Sequence, residues 1–266
     1  IDDRHRYLNI RNTFTALFEL CAVPIINEND TVRVEEIQFS DNDMLSAMIL
    51  PLLEAQLLII LTDTGGVCRE DPRVCPDTER IPIITDLKLK DIRGASTQAG
   101  TSGRGGMYSK LMAAYHAGLL GVPTVIADAR TPHVISAVLD GEDLGTLIIP
   151  PRKERLSRKD HWIGFVSIPK GRVIIDDGAV TMLTQRGKSL LPAGVTGVEG
   201  RFVEGDTVEI VDARGMVIAA GLSNFTSEDV ARVMGANTKD LAGILEKECD
   251  EEIVHRNNMI LKGAHL

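Results

Sequence analysis

The stretch Gly100-Thr101-Ser102-Gly103-Arg104-Gly105-Gly106-Met107-Tyr108-Ser109-Lys110 is the part of this sequence best equipped for chemistry. Its glycines leave backbone N–H groups open to close approach by an anion. The apolar pattern that follows, Leu111-Met112-Ala113-Ala114-Tyr115, reads as a helix. Its start would direct further free N–H groups and the positive end of the helix dipole at the same point. Lys110 sits about one turn into that helix and adds a full positive charge. Together these features suit a polyphosphate. The spacing is not G-x-x-x-x-G-K-[ST], which excludes a P-loop of that type. Taken alone, the stretch reads equally as a flexible loop ahead of a surface helix.

Other polar clusters stand where short apolar runs end. Ala22-Val23-Pro24-Ile25-Ile26 reads as a buried strand and leads into Asn27-Glu28-Asn29-Asp30. Val32 to Phe39 alternates in part, as an edge strand or hairpin would. Ser40-Asp41-Asn42-Asp43 precedes an apolar helix over Met44–Leu57, with Asp41 a candidate N-cap. Leu57–Leu61 is a second buried strand, ending in Thr62-Asp63-Thr64-Gly65-Gly66, and Val122–Ala127 a third, ending in Asp128. Strands that are short apolar runs alternating with helices predict a parallel α/β sheet. Ligands of such sheets bind beyond the carboxyl ends of the strands. The polar clusters and the glycine loop therefore define one expected site.

The second half differs in texture. Residues 152–159 carry five bases and one acid and read as a solvated linker, with an RNA- or phosphate-contacting run as the alternative. From Gly171 onward come short strands separated by glycine turns. Val208–Val211 and Met216–Gly221 form a hairpin across Asp212–Gly215, and the whole predicts a small β-barrel.

Composition narrows the function classes. The chain has 266 residues, 44% hydrophobic and 25% charged, as an ordinary globular protein does. Its net charge of −9 is concentrated in residues 1–150 (13 bases against 21 acids), while residues 151–266 hold 16 and 17. Neither half has the basic excess of a strong nucleic-acid binder. No apolar run reaches the ~18 residues of a membrane span and no signal peptide opens the chain, so a cytoplasmic location is expected. The cysteines Cys21, Cys68, Cys75 and Cys249 form no C-x-x-C pair, which argues against zinc and against a disulfide framework. The six histidines show no metal-ligand spacing, and no metal site is expected among the side chains.

The order and spacing of several motifs resemble the glutamate 5-kinase family over nearly the whole chain. They are Tyr7-Leu8-Asn9, Pro24–Asp30, Ser40–Asp43, Leu61-Thr62-Asp63 with Gly66 and Asp71-Pro72, and Gly105-Gly106-Met107-x-x-Lys110. Ser189–Gly194 and Val254–Met259 complete the match. The resemblance implies a three-layer, parallel-sheet amino acid kinase fold, incomplete at its N-terminus, followed by a small β-barrel PUA domain. It places the kinase portion at 1–152, a linker at 153–170 and the PUA domain at 171–263.

The resemblance also implies roles. Asp30 and Asn42 match positions that bind L-glutamate, with Asn27 close by. Thr62 and Asp63 match a nucleotide-contacting pair. Arg104, Gly105, Gly106, Met107 and Lys110 match the ATP phosphate loop. Lys110 would stabilise the transferring phosphoryl group, and Asp43 would be the acid that holds catalytic lysines in place. The implied reaction is attack of the glutamate γ-carboxylate on Mg2+-bound ATP, with proline as feedback inhibitor and a homo-oligomeric assembly. This sequence departs from the family pattern at Arg104, where threonine is usual, and at Val67-Cys68, where Leu-Tyr is usual. The family also opens with a strand and glycine loop bearing a second phosphate-binding lysine. That segment is not in this sequence, which reads as a fragment whose activity alone is in doubt. The competing expectations are an amino acid kinase with another acceptor and an RNA-binding protein acting through the PUA domain. The region 171–245, with 7 bases and 10 acids, is a poor polyanion surface.

Overall fold

The computed structural model of this chain describes residues 4–27, 42–72, 74–85, 87–92, 106–151 and 155–262. The chain divides into two units, Ile10–Arg158 and Lys159–Leu266 with Ile1–Asn9. No helix among the described residues is long and apolar enough to cross a membrane.

Helix α1 (Arg4–Glu19) opens the chain. The first unit then continues through α2 (Asn42–Leu53), β1 (Leu58–Thr62), β2 (Ile83–Ile84), α3 (Met107–Leu119), β3 (Thr124–Asp128), α4 (Val134–Leu139) and β4 (Thr146–Ile148). Its sheet has the order β1-β3-β4-β2. Strands β1 and β3 run parallel, in a register that sets Thr62 opposite Asp128, so two of the expected strand ends stand side by side. Strand β4 turns back antiparallel to β3, and the sheet is mixed. Helices α2 and α3 share a core with the sheet through Met44, Ala47, Leu50, Leu111, Ala113, Ala114 and Ala117. Ala47, Ala113 and Ala117 are fully buried, and their small side chains let the helix backbones approach. That approach brings the first turns of α2 and α3 together.

The loop after β1 is held by one hydroxyl. Thr146 Oγ1 accepts from Val67 N (2.8 Å) and donates to Ile81 O (2.6 Å), joining three segments at a buried point. Gly66 makes the approach possible. Its φ of +131° lies in the left-handed region, and a Cβ there would sit 2.7 Å from Thr146 Oγ1.

The apolar run Ala22–Ile26 is not a buried strand. It has no strand structure, and Val23 and Ile25 are 86% and 98% exposed. An apolar run becomes a strand only where a neighbour satisfies its backbone N–H and C=O groups, and none pairs with it among the described residues. The expected strand or hairpin over Val32–Phe39 and the Asp41 cap lie outside the described residues.

The second unit begins with α5 (Arg158–His161) and a π-helical turn, Trp162–Val166. Trp162, Ile163 and Val166 are buried, and the ring of Tyr7 lies 5.9 Å from that of Trp162. Strands β5 (Gly171–Ile175), β6 (Val195–Gly200), β7 (Thr207–Asp212), β8 (Val217–Leu222) and β9 (Met259–Leu261) pair in the order β6-β5-β7-β8-β9. The hairpin expected across Asp212–Gly215 is present as β7 and β8. Helices α6 (Asp177–Arg186), α7 (Ser227–Val233) and α8 (Leu241–Leu245) complete the unit. Asp176 caps α6 by accepting from Ala179 N, and Thr226 caps α7 by accepting from Asp229 N. Val173, Ile210, Phe225, Leu241 and Ile253 fill its core.

Candidate active site

Helix α3 begins at Met107, directly after Gly106, whose φ of 130° no residue with a side chain adopts without strain. Among the described residues no side chain caps this helix start, where first-turn N–H groups can bind an anion. Lys110 N is the donor of the first turn, to Gly106 O at 3.4 Å.

The side chain of Lys110 turns across to α2. Its Nζ lies 2.9 Å from Asp43 Oδ2, with both side chains only about one-sixth exposed (16% and 15%). Ser109 Oγ lies 2.7 Å from the same carboxylate oxygen and 3.0 Å from Gly106 O, so the hydroxyl links the carboxylate to the turn that precedes the helix. Asp43 is itself steadied by Ser46, whose Oγ donates to the Asp43 carbonyl at 2.6 Å. An ammonium and a carboxylate withdrawn from water in this way are costly unless paired. The pair fixes Lys110 at the positive end of a 13-residue helix.

Asn27 and Asn42 meet directly. Asn42 Nδ2 donates to Asn27 Oδ1 at 2.8 Å, across fifteen positions of sequence. The two amides therefore form one polar group immediately ahead of Asp43. Asp30, Arg104 and Gly105, the remaining expected ligands of substrate and phosphate, lie outside the described residues.

Thr62 and Asp63 lie at the carboxyl end of β1, with Thr62 Oγ1 donating to Asp63 Oδ1 at 3.2 Å. They are tied to the end of β3. Ala129 N donates to Thr62 O at 2.8 Å. Arg130 NH2 donates to Asp63 O at 2.6 Å while its guanidinium grips Asp128 in a two-pronged ion pair, at 2.9 Å and 2.7 Å. Hydrogen bonds from the Arg130 guanidinium, then from its backbone N–H, hold the Asp128 carboxyl far below the usual range, at about 2. Sequence reading noted Asp128 only as a strand end and passed over Ser109 and Arg130. Asp-x-Arg at two-residue spacing looks like an ordinary surface ion pair until the β1–β3 register is known.

Among the described residues, no three His, Cys, Asp or Glu side chains gather as a metal cluster. The four cysteines are free thiols. Of the two positions that depart from the family pattern here, Val67 is buried in the core and Cys68 bridges to Arg80.

A lysine held by a carboxylate at a helix start, in a unit whose sheet contains adjacent parallel strands, is an arrangement suited to a kinase. The profile of the amino acid kinase family matches residues 1–128, and that of the PUA domain matches residues 171–245. A glutamate 5-kinase from Geobacter sulfurreducens is 42% identical over 97% of this chain and 69% of its own length. One from Oleidesulfovibrio alaskensis is 45% identical over 97% of this chain and 68% of its own. The chain belongs to the glutamate 5-kinase family. A crystal structure of UMP kinase from Ureaplasma parvum overlaps 52% of the chain and 52% of its own at 17% identity and a TM-score of 0.36, too partial for anything further to rest on.

Proposed function

We propose that this chain transfers the γ-phosphoryl group of Mg-ATP to the γ-carboxylate of L-glutamate, giving L-glutamyl 5-phosphate, the first step of proline synthesis. The observation that carries this reading is the Lys110–Asp43 ion pair at the start of α3. The γ-carboxylate is ionised at neutral pH and attacks phosphorus without a general base. The protein's work is then positioning and charge neutralisation. Lys110 and the free N–H groups at the α3 start take up charge on the transferring phosphoryl oxygens. Asp43 and Ser109 keep the ammonium in place. The Asn27–Asn42 pair, with Asp30, holds glutamate; a carboxylate suits its ammonium and amides suit its polar end. Thr62 and Asp63 hold the nucleotide, and Arg104 to Met107 its phosphates. Mg2+ arrives with the phosphate oxygens, the usual mode for this ion.

The same reading expects a cytoplasmic homo-oligomer inhibited by proline at or near the glutamate site. It assigns residues 1–152 to the kinase portion, 153–170 to a linker and 171–263 to the PUA domain. A second reading, RNA binding, draws on the PUA match at residues 171–245. Filter binding across a salt series tests it, and no retention at low salt removes it.

The acceptor is tested by trapping the acyl phosphate as a hydroxamate. With ATP and Mg2+ supplied, glutamate is expected to give the product, whereas N-acetylglutamate and aspartate are not. Faster turnover of either of those acceptors overturns the assignment.

A further inference from the structure

We propose that Arg130 is a positioning residue for the nucleotide, acting through the Asp63 carbonyl. The inference rests on the reading above, in which Thr62 and Asp63 hold the nucleotide. Arg130 has a 72% exposed side chain, yet its guanidinium is fixed on two sides. Asp128 takes it in the two-pronged ion pair, and Asp63 O accepts from NH2 at 2.6 Å. The Asp128 carboxylate also accepts from the backbone N–H of Arg130 at 2.9 Å, which closes a tight turn at the end of β3.

Exposed ion pairs contribute little to stability, so global stability does not account for this arrangement. Its local effect is specific. β1 and β3 are adjacent parallel strands with Thr62 opposite Asp128, and their carboxyl ends are where ligands of such sheets bind. The Arg130 fork locks the turn after β1 to the turn after β3. The Thr62 hydroxyl and the Asp63 carboxylate are thereby presented in one arrangement before any ligand arrives. Lysine carries the same charge but lacks the planar fork that serves Asp128 and Asp63 O together.

The test uses the full-length protein and three variants, R130M, R130K and D63A. Each is measured by calorimetric titration with Mg2+ and a non-hydrolysable ATP analogue, by separate titration with glutamate, and by thermal unfolding. R130M is expected to weaken analogue binding at least fivefold, R130K to recover little of it, and glutamate affinity to move less than twofold. The unfolding midpoints of R130M and R130K should match the parent's, because a purely structural role would move the midpoint or both affinities together. If D63A weakens analogue binding while R130M binds within twofold of the parent, the Arg130 inference is overturned and the nucleotide reading stands. If D63A leaves analogue binding unchanged, both fall. Should R130M not fold, D128N releases the same fork and is expected to weaken analogue binding in the same direction; no change there also overturns the inference.

Discussion

The two units bury polar groups for different reasons. In Ile10–Arg158, the withdrawn charges are Lys110 and Asp43, paired at the start of α3. In the unit holding residues 159–262, His161 is a deeply buried titratable group, 1% exposed, whose pKa burial lowers. Ion pairs there, such as Lys247–Asp229 and Arg172–Glu209, have an exposed basic partner. An ammonium and a carboxylate paired at a helix start are suited to stabilise charge elsewhere. A buried group that sheds its charge is packing. The comparison predicts that substitutions in the first group act on catalysis, and those in the second on folding.

The largest effect is expected at Lys110. Lys110→Met should lower kcat by about 10²–10³, on the scale of losing one preorganised transition-state donor. Asp43→Asn should move in the same direction, because the ammonium loses its anchor. In the second unit the order reverses. Phe225→Ala removes a ring that is 1% exposed and should cost about 3–5 kcal/mol in denaturant unfolding. Retention of full stability by that variant would contradict the assignment of the second core.

His161 gives a pH signature. Burial lowers its pKa to about 4, from an unfolded value near 6.5. The neutral ring's contribution to stability is thus complete above about pH 6.5 and is lost as pH falls towards 4, on the order of 3 kcal/mol in all. Subtracting the profile of His161→Leu from that of the parent isolates this loss. A flat difference between pH 7 and pH 4.5 would show that the ring is open to water. The smallest effect is expected at Lys247→Ala. Its side chain is 46% exposed, and loss of its ion pair with Asp229 should leave the unfolding midpoint close to the parent's.

Much of this arrangement was legible in the sequence because it rests on local signals. The runs that became β1 and β3 are apolar, short and bounded by polar residues, and the helix after Gly106 follows from its apolar spacing and the glycines before it. The hairpin of β7 and β8 was fixed by the Asp212–Gly215 turn. What could not be read depended on partners distant in sequence. Val23 and Ile25 have the composition of a buried strand, but composition does not supply a neighbour to pair with. β2 and β4 are too short to show a period, and the reversal of β4 that makes the sheet mixed follows from register alone. The same limit hid Ser109 and Arg130. A serine beside a lysine, or an arginine two residues after an aspartate, acquires a role only when a carboxylate 66 positions away or a carbonyl 67 positions away comes within hydrogen-bonding distance.

The most direct test of the account is glutamyl hydroxamate formation from glutamate and Mg-ATP by the full-length protein and its Lys110→Met variant, with glutamate affinity measured alongside. The account predicts product from the parent, a loss of about 10²-fold or more in the variant, and glutamate affinity changed less than threefold. Turnover by the variant within threefold of the parent would contradict the claim that the Lys110–Asp43 pair carries the phosphoryl transfer.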